Sequence, residues 1–232
     1  PGFSGTTPGA DGVWHDDLAI VRLSAPVSGS VPAYDLYGGS LKGKTITLVG
    51  YGGGGDGVNG VTRGANASVK RVGQNRVDRM LLDDDGGSIN EIFVFDFDGP
   101  TRNSNVFGPS NKSSNLTLGA TVEAQFAGGD SGSPVFVKDR GVWKIAGIGT
   151  FNGGTDLSSG SSVLFGSIGG GTILAPYLSW IDTTLTAHAA MGGQASMIDE
   201  TLAPVPEPQT WLMMLAGMGL VGVAVRGKTV AL

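Results

Sequence analysis

Gly128-Gly129-Asp130-Ser131-Gly132-Ser133-Pro134 is the stretch that decides how this chain is read. A serine stands between an acid and a glycine, with two glycines before it and a Ser-Pro pair after it. A serine hydroxyl is a weak nucleophile until its surroundings activate it. Small residues on both sides allow the backbone N–H groups of Gly129 and Ser131 to turn towards one point, where they would hold an oxyanion. The bland alternative is a Gly-rich turn between two strands, which a glycine-rich chain also produces.

The composition sets the frame. The 232 residues include 41 glycines, charged residues make up 15%, and the net charge is −5. Such a chain is long enough to bury a core and form one large or two small domains. An acidic balance argues against a nucleic-acid surface, which would be basic. With no cysteine, disulfides, thiolate catalysis and Cys-based zinc sites are excluded.

Short apolar and β-branched runs separated by Asn/Asp/Gly/Ser clusters predict an all-β architecture, a barrel or sandwich. Leu18–Leu23 reads as a buried strand and Thr45–Tyr51 as another, followed by a Gly-rich loop from Gly52 to Gly60. Further strands are expected within Ser68–Val72, Glu91–Phe97, Thr117–Phe126, Ser133–Lys138, Val142–Thr150 and Ser162–Phe165. An amphipathic helix is expected over Thr172–His188.

The C-terminus changes character. Residues 189–204 read as a polar linker, followed by Val205-Pro206-Glu207-Pro208, an apolar run from Trp211 to Val225, and Arg226 and Lys228. The prolines hold the link extended. The apolar run falls slightly short of the ~17–25 residues a spanning helix needs. Residues 205–232 resemble the PEP-CTERM sorting signal of Gram-negative bacteria. The resemblance implies recognition by an exosortase, removal of the tail, and an exported protein held briefly in the membrane by residues 211–225.

The heptapeptide around Ser131 resembles the nucleophile loop of the chymotrypsin-like (trypsin-fold) serine proteases. Other landmarks agree in order and spacing. Asp17 directly precedes Leu18-Ala19-Ile20-Val21-Arg22-Leu23, similar to the family's aspartate motif, with Asp16 as the adjacent competitor. Val49-Gly50-Tyr51-Gly52 resembles the end of a second-barrel strand, Gly147–Asn152 the strand that pairs with substrate, and Tyr177-Leu178-Ser179-Trp180-Ile181 the C-terminal helix.

The resemblance implies a trypsin-like double β-barrel. Its first barrel is largely absent here (the end of it in residues 1–30), and the second barrel and C-terminal helix fill residues 31–188. It implies that Ser131 and Asp17 are catalytic and that Gly129 and Ser131 form the oxyanion hole. Gln125, Thr150, Phe151 and Asn152 would shape the specificity pocket. A neutral Gln125 would give no anchor for Lys or Arg, so a small or neutral side chain is expected at the cleavage site. The Asp130 carboxylate would order the loop, a role that in the family often uses a mature N-terminal amine.

The general base does not fit either histidine. His15 is two residues from Asp17, on the same strand face if that segment is extended. His188 falls at the end of the last helix. Two readings stay open: a serine endopeptidase whose histidine lies outside this chain, which alone would be inactive, and a non-catalytic envelope or matrix binding protein with a protease fold. The partners implied are a protein or peptide substrate and an exosortase, with no nucleic acid. No cofactor or metal is implied.

Other signals carry less. The G-x-S-x-G elbow lacks its last glycine. Gly52-x-Gly54-x-x-Gly57 lacks the helix of a dinucleotide site. Asp83-Asp84-Asp85 reads as a solvated turn rather than a calcium loop. Asp96 and Asp98 read as surface acids sharing one strand face.

Overall fold

The computed structural model describes residues 8–101, 104–108, 117–155 and 162–190. The chain divides into two units, Pro1–Gly192 and Gly193–Leu232, and every described residue lies in the first. Among the described residues nine strands are formed: β1 (Thr45–Gly50), β2 (Gly54–Asp56), β3 (Gly60–Arg63), β4 (Arg71–Arg76), β5 (Arg79–Leu82), β6 (Asn90–Asp96), β7 (Pro134–Asp139), β8 (Val142–Gly153) and β9 (Ile168–Ile173). A 3-10 turn at Ala175–Tyr177 leads into helix α1 (Leu178–Ala190). The expected mostly-β class holds among the described residues.

Seven strands make one antiparallel sheet in the order β4-β1-β7-β8-β9-β6-β5, and β2 and β3 form a separate hairpin. The two edge strands, β4 and β5, are joined only by Val77 and Asp78. Three residue steps span at most about 11 Å. Seven strands laid flat would separate their edges by about 29 Å. The sheet therefore rolls until its edges approach. Asn75, fully buried on β4, marks the seam: its Nδ2 donates to the carbonyls of Asp96 on β6 (2.9 Å) and Ala124 (3.0 Å).

Strand β6 shows why the core forms here. Its residues alternate between two apolar clusters. Phe93 and Phe95 pack with Ile46, Val135, Val137 and Ile173, whereas Ile92 and Val94 pack with Val13, Phe107 and Ile168. Both faces of this strand are thus covered. Asp96 and Asp98 are buried, which corrects their reading as surface acids.

Several expected elements shift. The run Leu18–Leu23 is not a strand: Val21 is 80% exposed, and no neighbouring strand among the described residues completes its backbone hydrogen bonds. The strand sought at Ser68–Val72 begins at Arg71 and ends at Arg76. Thr117–Phe126 contributes one bridge, Gln74 to Glu123. The last strand starts at Ile168 rather than within Ser162–Phe165, and the helix begins at Leu178 because Thr172 and Ile173 still belong to β9.

Candidate active site and a buried acidic cluster

Two tight turns placed end to end build the Ser131 loop. Asp130 N–H donates to Ala127 O (3.0 Å), and Ser133 N–H donates to Asp130 O (2.9 Å). The third residue of each turn, Gly129 or Gly132, has a positive φ (97° and 80°) that glycine adopts without steric cost. Ser131 occupies the corner of the second turn and is exposed. Among the described residues, no backbone carbonyl accepts from the N–H of Gly129 or of Ser131.

The loop is fastened on two sides. Gly132 N–H donates to Gly149 O, and Gly149 N–H donates to Ser133 O, both at 2.9 Å, which extends the β7–β8 ladder. On the other side Gly53 N–H donates to Gly128 O (3.0 Å). The Asp130 carboxylate accepts from Gly52 N–H (2.7 Å) and Ala127 N–H (3.0 Å). A Cβ on Gly50 or Gly52 would collide with that carboxylate, so the Gly50-Tyr51-Gly52 spacing is set by Asp130. Arg71 Nη1 donates to Gly52 O (2.6 Å) and completes the anchor. Backbone N–H groups of the same chain thus hold the Asp130 carboxylate.

Asp17 is exposed, and its carbonyl accepts from Thr172 Oγ1 on β9 (3.5 Å). Thr172 pairs with Ile148 on β8, which pairs with Pro134 at the start of β7. One cross-strand row therefore links the Asp17 backbone to the strand that follows Ser131, over about 10 Å. Asp16 is the buried member of the Asp16–Asp17 pair, and its φ of 54° reverses the backbone. His15 and Asp17 consequently do not share a strand face. His15 is 5% exposed and Asp17 exposed.

Of the pocket residues, Gln125 and Asn152 converge on Phe126. Gln125 Oε1 accepts from Phe126 N–H (2.8 Å), and Gln125 Nε2 donates to Ser167 Oγ (3.0 Å). Asn152 Nδ2 donates to Phe126 O (2.9 Å). Phe151 lies over Gly170, where a Cβ would strike its ring. Thr150 Oγ1 is buried without a hydrogen-bond partner. A cavity of about 260 Å³ is lined by Gly50, Arg71, Gln125, Phe126, Asp130 and Ser133, among others. Thr150, Phe151 and Asn152 do not line it.

Residues 204–228 match the PEP-CTERM protein-sorting motif. That motif is a sorting signal recognised by exosortase, and it marks the chain for export and sorting to the cell envelope. No curated protein matches the chain. The motif lies outside the described residues, as does the apolar run 211–225. Among the described residues no helix is long and apolar enough to cross a membrane. His188 falls within α1.

Two groups of ionisable residues carry no clear sequence signature. One is a set of buried acids near the seam of the sheet: Asp78, Asp96, Asp98 and Glu123. Asp96 accepts from Val106 and Phe107 N–H, while its own N–H donates to Asp78 Oδ2 (3.4 Å). Glu123 accepts from Leu118 and Asp98 N–H, both at 2.7 Å. Burial, then the charge of Asp96, raises the Asp78 pKa, and burial raises that of Asp96. Burial and the charges of Asp96 and Glu123 push Asp98 up to about 7.

The other group surrounds His15. His15 Nε2 stands 3.0 Å from Asp11 Oδ2, and Nδ1 faces Glu91 Oε2 at 3.5 Å and Asp84 Oδ1 at 3.8 Å. Burial opposes protonation of His15, but Asp11, Asp84 and Glu91 outweigh it and raise its pKa. Burial and the nearby Asp16 charge raise that of Glu91. Only the Asp11-x-x-x-His15 spacing and the Asp83–Asp85 run hinted at this cluster.

Proposed function

We propose that this protein is an exported serine endopeptidase with Ser131 as its nucleophile. The observation that carries the reading is the Ser131 corner itself. Its side chain is exposed, and the N–H groups of Gly129 and Ser131 donate to no backbone carbonyl among the described residues. The loop is meanwhile fixed to Gly52 through Asp130 and to β8 through Gly149. Preorganised donors beside a free hydroxyl are what acyl transfer requires, because they cost no reorganisation as charge develops on the carbonyl oxygen.

In this reading Ser131 Oγ attacks a peptide carbonyl, its proton passes to a histidine, and the amine leaves with that proton. Water then hydrolyses the acyl-enzyme by the reverse exchange. Asp17, tied by its backbone to β9, orients the histidine. We do not assign the base to His15, whose ring is engaged with Asp11 and faces Glu91. The reading therefore requires a histidine supplied from outside these 232 residues. The strand order β1-β7-β8-β9-β6, with β4 beside β1, supports a reading of the sheet as the second barrel of a trypsin-like fold. Gln125, with both ends of its amide engaged, supports a preference for small or neutral side chains at the cleavage site.

The test is labelling of the full-length natural protein with a fluorophosphonate probe. Labelling lost in Ser131→Ala is the expected result. A folded wild type that stays unlabelled sinks the enzymatic reading and favours a binding module on the same fold.

A further inference from the structure

The His15 cluster has the features of a metal centre. His15 Nδ1, one Asp84 oxygen and one Glu91 oxygen lie within 4.8 Å of one another. Ligands around a tetrahedral zinc ion, bound at about 2.0–2.1 Å, are separated by about 3.3 Å. The gaps of 3.5 Å to Glu91 and 3.8 Å to Asp84 exceed that value by half an ångström or less, and the third, Asp84 to Glu91, is no longer than 4.8 Å, so a bound ion would draw the carboxylates in.

The histidine is prepared for the role. His15 is 5% exposed, and its Nδ1 is buried with no hydrogen-bond partner, as is Glu91 Oε2. Its other nitrogen stands 3.0 Å from the Asp11 carboxylate. A carboxylate behind the distal ring nitrogen fixes the tautomer and turns the lone pair of the near nitrogen towards a metal. In the metal-free protein that lone pair would face two carboxylates, a contact that only a proton or a cation makes favourable.

Charge points the same way. Asp11, Asp84 and Glu91 surround one imidazole, Asp16 adds its charge beside Glu91, and Asp16 and Glu91 are themselves buried. Among the described residues no Lys or Arg forms an ion pair with any of them. Buried charges of one sign are tolerated when paired or when they coordinate a metal.

We propose that His15, Asp84 and Glu91 bind one zinc ion, with Asp11 as the positioning carboxylate behind His15. One imidazole nitrogen and two carboxylates suit zinc better than calcium, which takes six to eight oxygens. The ion would tie the segment before Asp17 to β6 and to the turn that precedes it. The site is independent of the Ser131 reading.

The test is calorimetric titration of the chelator-treated full chain with zinc chloride. One equivalent should bind, with thermal stability rising as the site fills. Glu91→Gln should weaken binding at least ~10-fold, and Asp11→Asn by ~10- to 100-fold. Asp84 is exposed, so Asp84→Asn should fold normally and still weaken binding. Absorption spectroscopy at the zinc edge should find mixed nitrogen and oxygen ligands. Absence of saturable zinc binding overturns the proposal. So does binding whose affinity is unchanged in both Asp84→Asn and Glu91→Gln.

Discussion

The carboxylate of Asp130 fills the space that a side chain at residue 52 would occupy, and it accepts the Gly52 N–H at 2.7 Å. Seventy-eight positions apart in sequence, the two residues form one unit. Asp130→Ala would leave the Gly52 and Ala127 N–H groups without their acceptor, a loss of about 3 kcal/mol for two charge-assisted bonds. Gly52→Ala would force the carboxylate out and should cost a similar amount. Because both variants break the same contact, the double variant should be much less destabilised than the sum. Urea unfolding of the four proteins measures this, and strict additivity would contradict it.

Asn75 should be equally sensitive. Asn75→Leu keeps the volume but removes the donor shared by the carbonyls of Asp96 and Ala124. Leaving buried acceptors unsatisfied costs ~1–3 kcal/mol each. Denaturant melts should show a loss of ~3 kcal/mol or more, with cooperativity retained. Asn75→Asp, which turns a carboxylate towards two carbonyl oxygens, should be worse.

The buried acids set a direction for pH. Asp98 titrates near 7 in the folded protein, above its ordinary value near 3.8, because of burial and then the charges of Asp96 and Glu123. The folded state therefore holds this proton more tightly than the unfolded chain does. The resulting stability is fully present below about pH 4 and is lost as pH rises to 7. Asp78 and Asp96 shift in the same direction and extend the decline. Thermal melts should thus show stability falling from pH 5 to pH 8, and Asp98→Asn should flatten the part below pH 7. A slope unchanged in that variant would remove Asp98 as its source.

Much of this is legible in the sequence, for identifiable reasons. The Ser131 turns could be read because glycine stands at both positive-φ positions and a strand of Val135, Phe136 and Val137 follows. Strands β1 and β8 announced themselves through β-branched residues. Strand β4 was offset because its interior is Gln74, Asn75 and Arg76, and the buried Asn75 serves hydrogen bonding rather than apolar packing. Strand β9 was hidden because Gly169, Gly170 and Gly171 have no side chains to make a pattern.

The acids misled for a different reason. Alternation of Phe and Asp along β6 normally separates core from solvent, but here both faces are covered. The His15 cluster was concealed by the backbone reversal at Asp16, which no periodic pattern announces.

The two-residue link at Val77-Asp78 has a consequence for life outside the cell. An open sheet presents rows of unpaired N–H and C=O groups that recruit strands from other chains and seed aggregates. By passing directly from one border strand to the other, this chain turns those rows towards each other instead of towards its neighbours. These 232 residues carry an export signal and no cysteine, so no disulfide within them guards the sheet during transit. Bringing the two edges together supplies protection that disulfides give to many secreted proteins, and a chain cut at Val77 should lose solubility before it loses its strands.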